Sequence, residues 1–289
     1  MIFARGLSVP EGPVVLPDGS WLCVEMGADR GCVTHISPDG KGRRALARTG
    51  RPNGLAVDRE GAIWVAESRP AGLLRMQMDG SYQVFLDGCE GEPFLFPNDL
   101  AFGPDGTLYM TDSGIPINDF APGEVIRADY ASLMPDGRVY SIDIASGKIR
   151  KHDHGIRFTN GIAVGPDGYL YVNETFTGNV YRYRMLENDL GARELFGNVV
   201  NPDLPPGFRG PDGMKFGKDG NLYVTVFGQG DVTVLGKDGQ VLKRIPMAGK
   251  RPSNLAFGLP GDTRIYVTED ELGHLEAHDV GVEGLPLYY

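Results

Sequence analysis

Short apolar runs alternate with tight polar turns along this chain, and one such phrase recurs six times. The copies read EGPVVLPDGSWLCVE from Glu11, NGLAVDREGAIWVAE from Asn53 and NDLAFGPDGTLYMTD from Asn98. They continue as NGIAVGPDGYLYVNE from Asn160, DGMKFGKDGNLYVTV from Asp212 and SNLAFGLPGDTRIYVTE from Ser253. In each copy an apolar triplet such as Leu55-Ala56-Val57 precedes a turn and an apolar-aromatic triplet such as Ile63-Trp64-Val65. β-Branched and aromatic residues on both sides of a Gly-bearing turn predict a two-stranded hairpin. A weaker phrase that opens on glycine follows, as in Gly31-Cys32-Val33, Gly72-Leu73-Leu74, Gly178-Asn179-Val180 and Gly230-Asp231-Val232. It predicts a third and a fourth strand, so each repeat reads as a four-stranded antiparallel blade.

The copies start 42, 45, 62, 52 and 41 residues apart, and a further 47 residues lead from Ser253 through the C-terminus round to Glu11. Repeats of about 40–50 residues built from several short strands predict an all-β, six-bladed propeller. Residues 1–289 then form a single propeller domain. After Glu269 only His274 to His278 reads as a further strand, so Ile2–Leu7 is expected to complete the last blade as its outer strand and close the ring.

Glycine makes up 42 of the 289 residues and gathers at corners such as Asp18-Gly19, Asp105-Gly106 and Asp167-Gly168. That is hairpin chemistry and not disorder. The net charge of −10 with no basic stripe argues against nucleic acid. No apolar run approaches the ~20 residues of a membrane helix, and the start, MIFARGLSVPEGP, lacks the layout of a signal peptide. Cys23, Cys32 and Cys89 show no metal spacing and read as buried thiols, so the expected compartment is the cytoplasm.

Because every copy starts at the same place in its blade, Glu11, Asn53, Asn98, Asn160, Asp212 and Ser253 should surround one end of the axial channel. Every one of these side chains offers oxygen, which suits hard divalent cations such as calcium, magnesium or manganese, with zinc less favoured. Asn and Asp before a strand also cap turns for purely structural reasons, and Asn53 and Ser253 fit that reading or a water contact. Glu11 and Asp212 are different, because an amide or hydroxyl suffices in the sister copies. A carboxylate near a buried axis is costly unless something positive meets it. Fourteen residues on, Glu25, Glu67, Asp112 and Glu174 (with Glu269 two later) suggest a second, acidic ring facing the first. His152 and His154 lie in an outer-strand phrase and read as surface residues.

The Glu of EGP, the Asn of PND, the Asn of TNG and the Asp of PDG, in that order across blades, resemble the senescence-marker-protein/gluconolactonase (regucalcin-like) family. The resemblance spans essentially the whole chain. It implies a six-bladed propeller that hydrolyses a lactone or related ester with one divalent metal in the channel. It implies Glu11, Asn160 and Asp212 as metal ligands, Asp212 also as general base, and Asn98 as a substrate contact or a completion of the metal shell. Sugar-lactone hydrolases of the family often carry an arginine two residues before the Asn of blade three. Here that place is Phe96, in EPFLFPND. With Phe94 and Leu95 it reads either as an apolar wall for a less hydroxylated substrate or as packing beneath a loop.

Asn53, Phe96 and Arg157 join Asn98 as candidate substrate contacts. Arg51, Arg209 and Arg251 also sit two or three residues before a ring position, where a guanidinium could meet a substrate carboxylate or be solvated or paired. The long third interval holds an insertion at 114–137, expected to emerge as a lid over the ligand end, and Tyr130, Met134 and Phe208 are candidate pocket residues. A phosphotriesterase-like hydrolase and a non-catalytic NHL-type propeller binding a protein partner are the alternatives. The two ring carboxylates argue against the second, since a fold alone does not settle function.

Overall fold

The six hairpins pair as the alternation predicts. In the computed structural model, which describes residues 1–288, each copy contributes one blade of four antiparallel strands around a common axis. Blade one runs through Pro10–Val15, Trp21–Glu25, Cys32–Ile36 and Arg43–Arg48, from the axis outward. In the last blade Pro252–Phe257, Arg264–Glu269 and His274–Asp279 are completed by Ile2–Arg5. The N-terminal strand therefore closes the ring.

Blade packing follows from which faces are apolar. Six buried apolar layers lie one between each pair of neighbouring blades. The layer between the last and first blades combines Ala4 and Leu7 with Trp21, Ile36, Tyr266 and Leu275, so burial reinforces the closure made by hydrogen bonds. The turn aspartates do more than turn. Asp58 accepts from Trp64 Nε1 at 2.9 Å, and Asp167 and Asp262 accept from Tyr171 and Tyr266 hydroxyls at 2.7 and 2.9 Å. The repeat thus needs Asp and Tyr or Trp together, since a buried indole or phenol requires a partner.

One regular departure from a plain hairpin decides what points at the axis. A plain hairpin would pair Glu11 with Glu25 and Asn53 with Glu67. In all six blades the register slips by one residue just after the strand begins, so Pro10, Pro52, Pro97, Thr159, Pro211 and Pro252 occupy those places. Such a bulge bends the strand and re-aims the side chains beside it. It sits at the ring residue and its successor. That successor is glycine in four blades because the innermost strands converge there; a Cβ on Gly161 would lie 2.2 Å from Asp212 O.

The 114–137 insertion follows the second strand of blade three and carries one short helix, Ile117–Phe120. Ile117, Phe120 and Ala121 pack with Phe96 and Phe158 in a seventh apolar cluster, which Tyr130, Phe176 and Phe208 border. At the other end of the axis the chain's last described residues fold across the channel. Leu285 N donates to Phe216 O at 2.9 Å, and Lys218 pairs with Glu283 at 2.8 Å. They cover an apolar cavity of about 330 Å³.

Two expectations fail at this level. His152 is not a surface residue, for its side chain is 2 % exposed, held between Ser141 Oγ and Asp189 Oδ1 at 2.7 and 3.2 Å. Blade four extends a small hairpin ending in Asp189–Leu190 over it. Met134 is not a pocket residue either, being 79 % exposed on the outside of the insertion. His154 is exposed and Cys23, Cys32 and Cys89 are buried free thiols, as expected.

Candidate metal centre

A cavity of about 570 Å³ opens at the end of the axis where the innermost strands begin. Glu11, Asn53, Asn98, Asn160 and Asp212 all line it. Ser253 does not; its hydroxyl donates to Pro10 O at 2.7 Å and stitches the last blade to the first. The ring residue of that blade is therefore structural.

The amides are fixed so that oxygen is left over. Asn98 Nδ2 donates to Ser113 Oγ at 3.0 Å and Asn160 Nδ2 to Thr175 Oγ1 at 3.2 Å. Both hydroxyls donate onward to the neighbouring blade, Ser113 to Thr159 O at 2.9 Å and Thr175 to Pro211 O at 2.8 Å. With each hydroxyl proton committed, each amide must present its N–H, which leaves Asn98 Oδ1 and Asn160 Oδ1 buried without a partner. Buried polar atoms are normally satisfied, so two orphaned oxygens in one cavity call for a ligand. Asn53 is turned differently, with Nδ2 donating to Asn98 O at 3.3 Å.

The carboxyls tell the same story through charge. Glu11 is 2 % exposed and accepts from its neighbour Gly12 N and, at 3.4 Å, from Asn254 Nδ2. Burial first, then the charges of Asp212 and Asp99, push its carboxyl well above the ordinary range. Asp212 is likewise raised by burial and by Asp270 and Asp99, against an opposing hydrogen bond from Asn160. No Lys, Arg or His forms an ion pair with either among the described residues. Two uncompensated carboxyls beside two orphaned amide oxygens make a hard, all-oxygen set that fits a divalent cation. Among the described residues no three His, Cys, Asp or Glu side chains gather into a group that could hold a metal ion.

The acidic residues read as a second ring do another job. Glu25, Glu67, Asp112, Glu174 and Glu269 turn into their blades and accept backbone N–H groups from the segments leading into the ring. Arg51 N meets Glu67 at 2.6 Å, Phe96 N meets Asp112 at 3.0 Å and Arg157 N meets Glu174 at 2.6 Å. The bulge explains the error: these carboxyls sit opposite the residue before the ring and clamp the loops that carry it.

Arg157, read as a substrate contact, is taken up by the insertion. Its Nη2 donates to Ala131 O and Leu133 O at 3.0 and 3.4 Å, and its guanidinium lies 5.7 Å from the Phe176 ring centre. Phe96 lines the cavity and also packs into the insertion's cluster. Among the lining residues that the sequence did not single out is an acidic one, Asp270. It stands where Ser113 and Thr175 stand in their own blades, once the two extra turn residues of the last copy are counted. Burial pushes its carboxyl up to about 8, and its Oδ1 has no partner.

Known proteins resemble this chain along most of its length. A family model for the SMP-30/gluconolactonase/LRE-like region matches residues 9–270. A gluconolactonase of Zymomonas mobilis is 28 % identical over 284 residues, covering 91 % of this chain and 76 % of the relative. A lactonase drp35 of Staphylococcus epidermidis is 34 % identical over 187 residues, 62 % of this chain and 52 % of the relative. The chain thus spans about half the length of that lactonase. Among solved structures, a gluconolactonase from Xanthomonas campestris superposes with a TM-score of 0.78 at 24 % identity, covering 98 % of this chain and 89 % of the other. A calcium-binding regucalcin from Agrobacterium tumefaciens gives a TM-score of 0.78 at 19 % identity, covering 100 % and 96 %. At these identities the superpositions show the shared fold.

Proposed function

The chain belongs to the SMP-30/gluconolactonase/LRE-like family, and from that premise we propose that it is a divalent-metal-dependent hydrolase that opens a lactone ring. The observation that carries the reading is the cavity floor, where the unpaired Glu11 and Asp212 carboxyls stand with the free Oδ1 atoms of Asn98 and Asn160. Glu11, Asn160 and Asp212 would hold the cation, and Asn98 would complete its shell or meet the substrate. The names of the Zymomonas and Staphylococcus relatives support a lactone as the bond broken.

A bound divalent cation would supply Lewis-acid polarisation of an ester carbonyl and of water. The chain's own residues account for the rest. Asp212, on the cavity floor, takes a proton from the attacking water as its oxygen bonds to the lactone carbonyl carbon. It returns that proton to the ring oxygen as the carbon–oxygen bond breaks, leaving a hydroxy acid. Asn98 Oδ1 and Asn160 Oδ1 are held in place by Ser113 and Thr175, so no reorganisation of the amides is needed when charge develops. The insertion's cluster of Ile117, Phe120 and Ala121 walls the cavity and restricts water around the reacting group.

The direct test uses the purified full chain, stripped with chelator and reloaded with calcium, magnesium, manganese or zinc. Acid release from a panel of γ- and δ-lactones is followed with a pH indicator. Hydrolysis that disappears with chelator and returns with a cation is the expected result. Hydrolysis indifferent to chelator, or none with any cation, would overturn the proposal.

A further inference from the structure

Arg51 is a buried cation without an anion. It is 8 % exposed and lines the same cavity as Glu11 and Asp212. Its Nη1 donates to Ser68 Oγ at 3.2 Å, while its Nε is buried with no partner. Among the described residues no carboxylate forms an ion pair with it. Burial lowers its proton affinity, and the charges of Glu124, Asp270 and Glu67 offset that only in part. A guanidinium removed from water usually finds a carboxylate or phosphate, because its planar fork matches their geometry.

The surroundings hold it in readiness. Its backbone N–H is clamped by Glu67 Oε1 at 2.6 Å, and its carbonyl accepts from Ser68 N and Ser68 Oγ at 3.1 and 2.7 Å. Its Cζ lies 5.5 Å from the Phe96 ring centre, which fixes the plane of approach. Other cationic side chains differ: Arg157 is taken up by the insertion, and Lys250 and Arg251 are exposed at the rim. Phe96 beside Arg51, with Ile117, Phe120, Phe158, Phe208 and Phe227, lines the same cavity and offers no hydrogen bonds to a polyhydroxylated ring. One buried cation beside an aromatic wall describes a ligand with one charged end and an apolar body.

We propose that Arg51 forms an anion subsite, and that the substrate is a lactone carrying a carboxylate on an apolar frame. The inference rests on the reading of this cavity as a lactone site for its second half only; the anion subsite stands on Arg51 itself. It also assigns a use to the aromatic wall, which replaces hydroxyl recognition by shape and apolar contact.

The test is calorimetric binding of phenylacetate and its neutral isostere phenylacetamide to the calcium-loaded full chain, with Arg51→Met and Arg51→Lys beside wild type. Wild type should prefer phenylacetate by about thirtyfold, the loss typical when one partner of a buried charge pair is removed. Arg51→Met should abolish the preference, and Arg51→Lys should keep part of it. Because Arg51→Met could disturb the loop, its circular dichroism and melting must match wild type, and Arg51→Lys supplies the folded control. Equal binding of acid and amide by wild type, or a preference that survives Arg51→Met, would overturn the subsite. A carboxylate preference that depends on Arg51 in a protein hydrolysing no lactone would leave the subsite standing and sink the proposed reaction.

Discussion

Asn160 gives its Nδ2 to Thr175 Oγ1 at 3.2 Å and also hydrogen-bonds Asp212, while Asn160 Oδ1 is buried with no partner. The threonine is itself committed to Pro211 O of the next blade. A hydroxyl fifteen residues downstream therefore sets which end of the amide the ring presents.

Thr175→Val keeps the shape and removes both hydrogen bonds. Asn160 can then turn over, and the site loses one oriented oxygen. Cation affinity should fall by about ten- to a hundredfold, the range for outer-shell partners, with the fold intact. Titration calorimetry with calcium on the stripped protein measures it.

Glu11→Gln removes one of two charges from the oxygen set while preserving its size. Calcium affinity should weaken roughly tenfold or more, because it scales with ligand charge. The same titration checks this, and unchanged affinity would remove Glu11 from the shell.

Asp270 makes a prediction about pH. Burial raises its carboxyl from 3.8 to about 8, so the native state binds that proton more tightly than the unfolded chain. Its contribution to stability is thus lost as pH rises through that window. Without added metal, Asp270→Asn should melt above wild type at pH 8, and the two curves should converge near pH 4. Differential scanning calorimetry across pH reads it directly.

Glu276 has the opposite sign. Burial would raise it, but hydrogen bonds from His278, His274 and Ala248 N outweigh burial and hold its carboxyl at about 2, below the ordinary 4.5. Its stabilisation is present above pH 4.5 and is lost as pH falls toward 2. It lies in the strand that pairs with Ile2–Arg5. Glu276→Gln should therefore lower the melting temperature at pH 7, with the gap closing in acid.

The six blades and the closing strand were legible because repeat spacing and alternation are properties of the chain itself. The ring of oxygen side chains was legible for the same reason, since Glu11, Asn98, Asn160 and Asp212 begin equivalent phrases. What could not be read was direction. Pairing Glu67 with Asn53 assumes a plain hairpin, and the one-residue bulge in every blade turns Glu67 into a clamp on Arg51 N. Arg51 and Arg157 look alike in sequence, yet one enters the cavity and the other holds the insertion, because only the folded insertion supplies Ala131 O and Leu133 O. Asp270 was hidden by the longer last turn, although Ser113 and Thr175 mark its place.

Asp212→Asn tests the central claim most directly, with turnover and metal content measured on the same calcium-loaded sample. The amide keeps an oxygen for the cation but cannot take a proton. Metal should remain bound while kcat on the best lactone falls by about a hundredfold or more, the contribution expected of a general base. An Asp212→Asn protein with bound metal and turnover close to wild type would contradict the account.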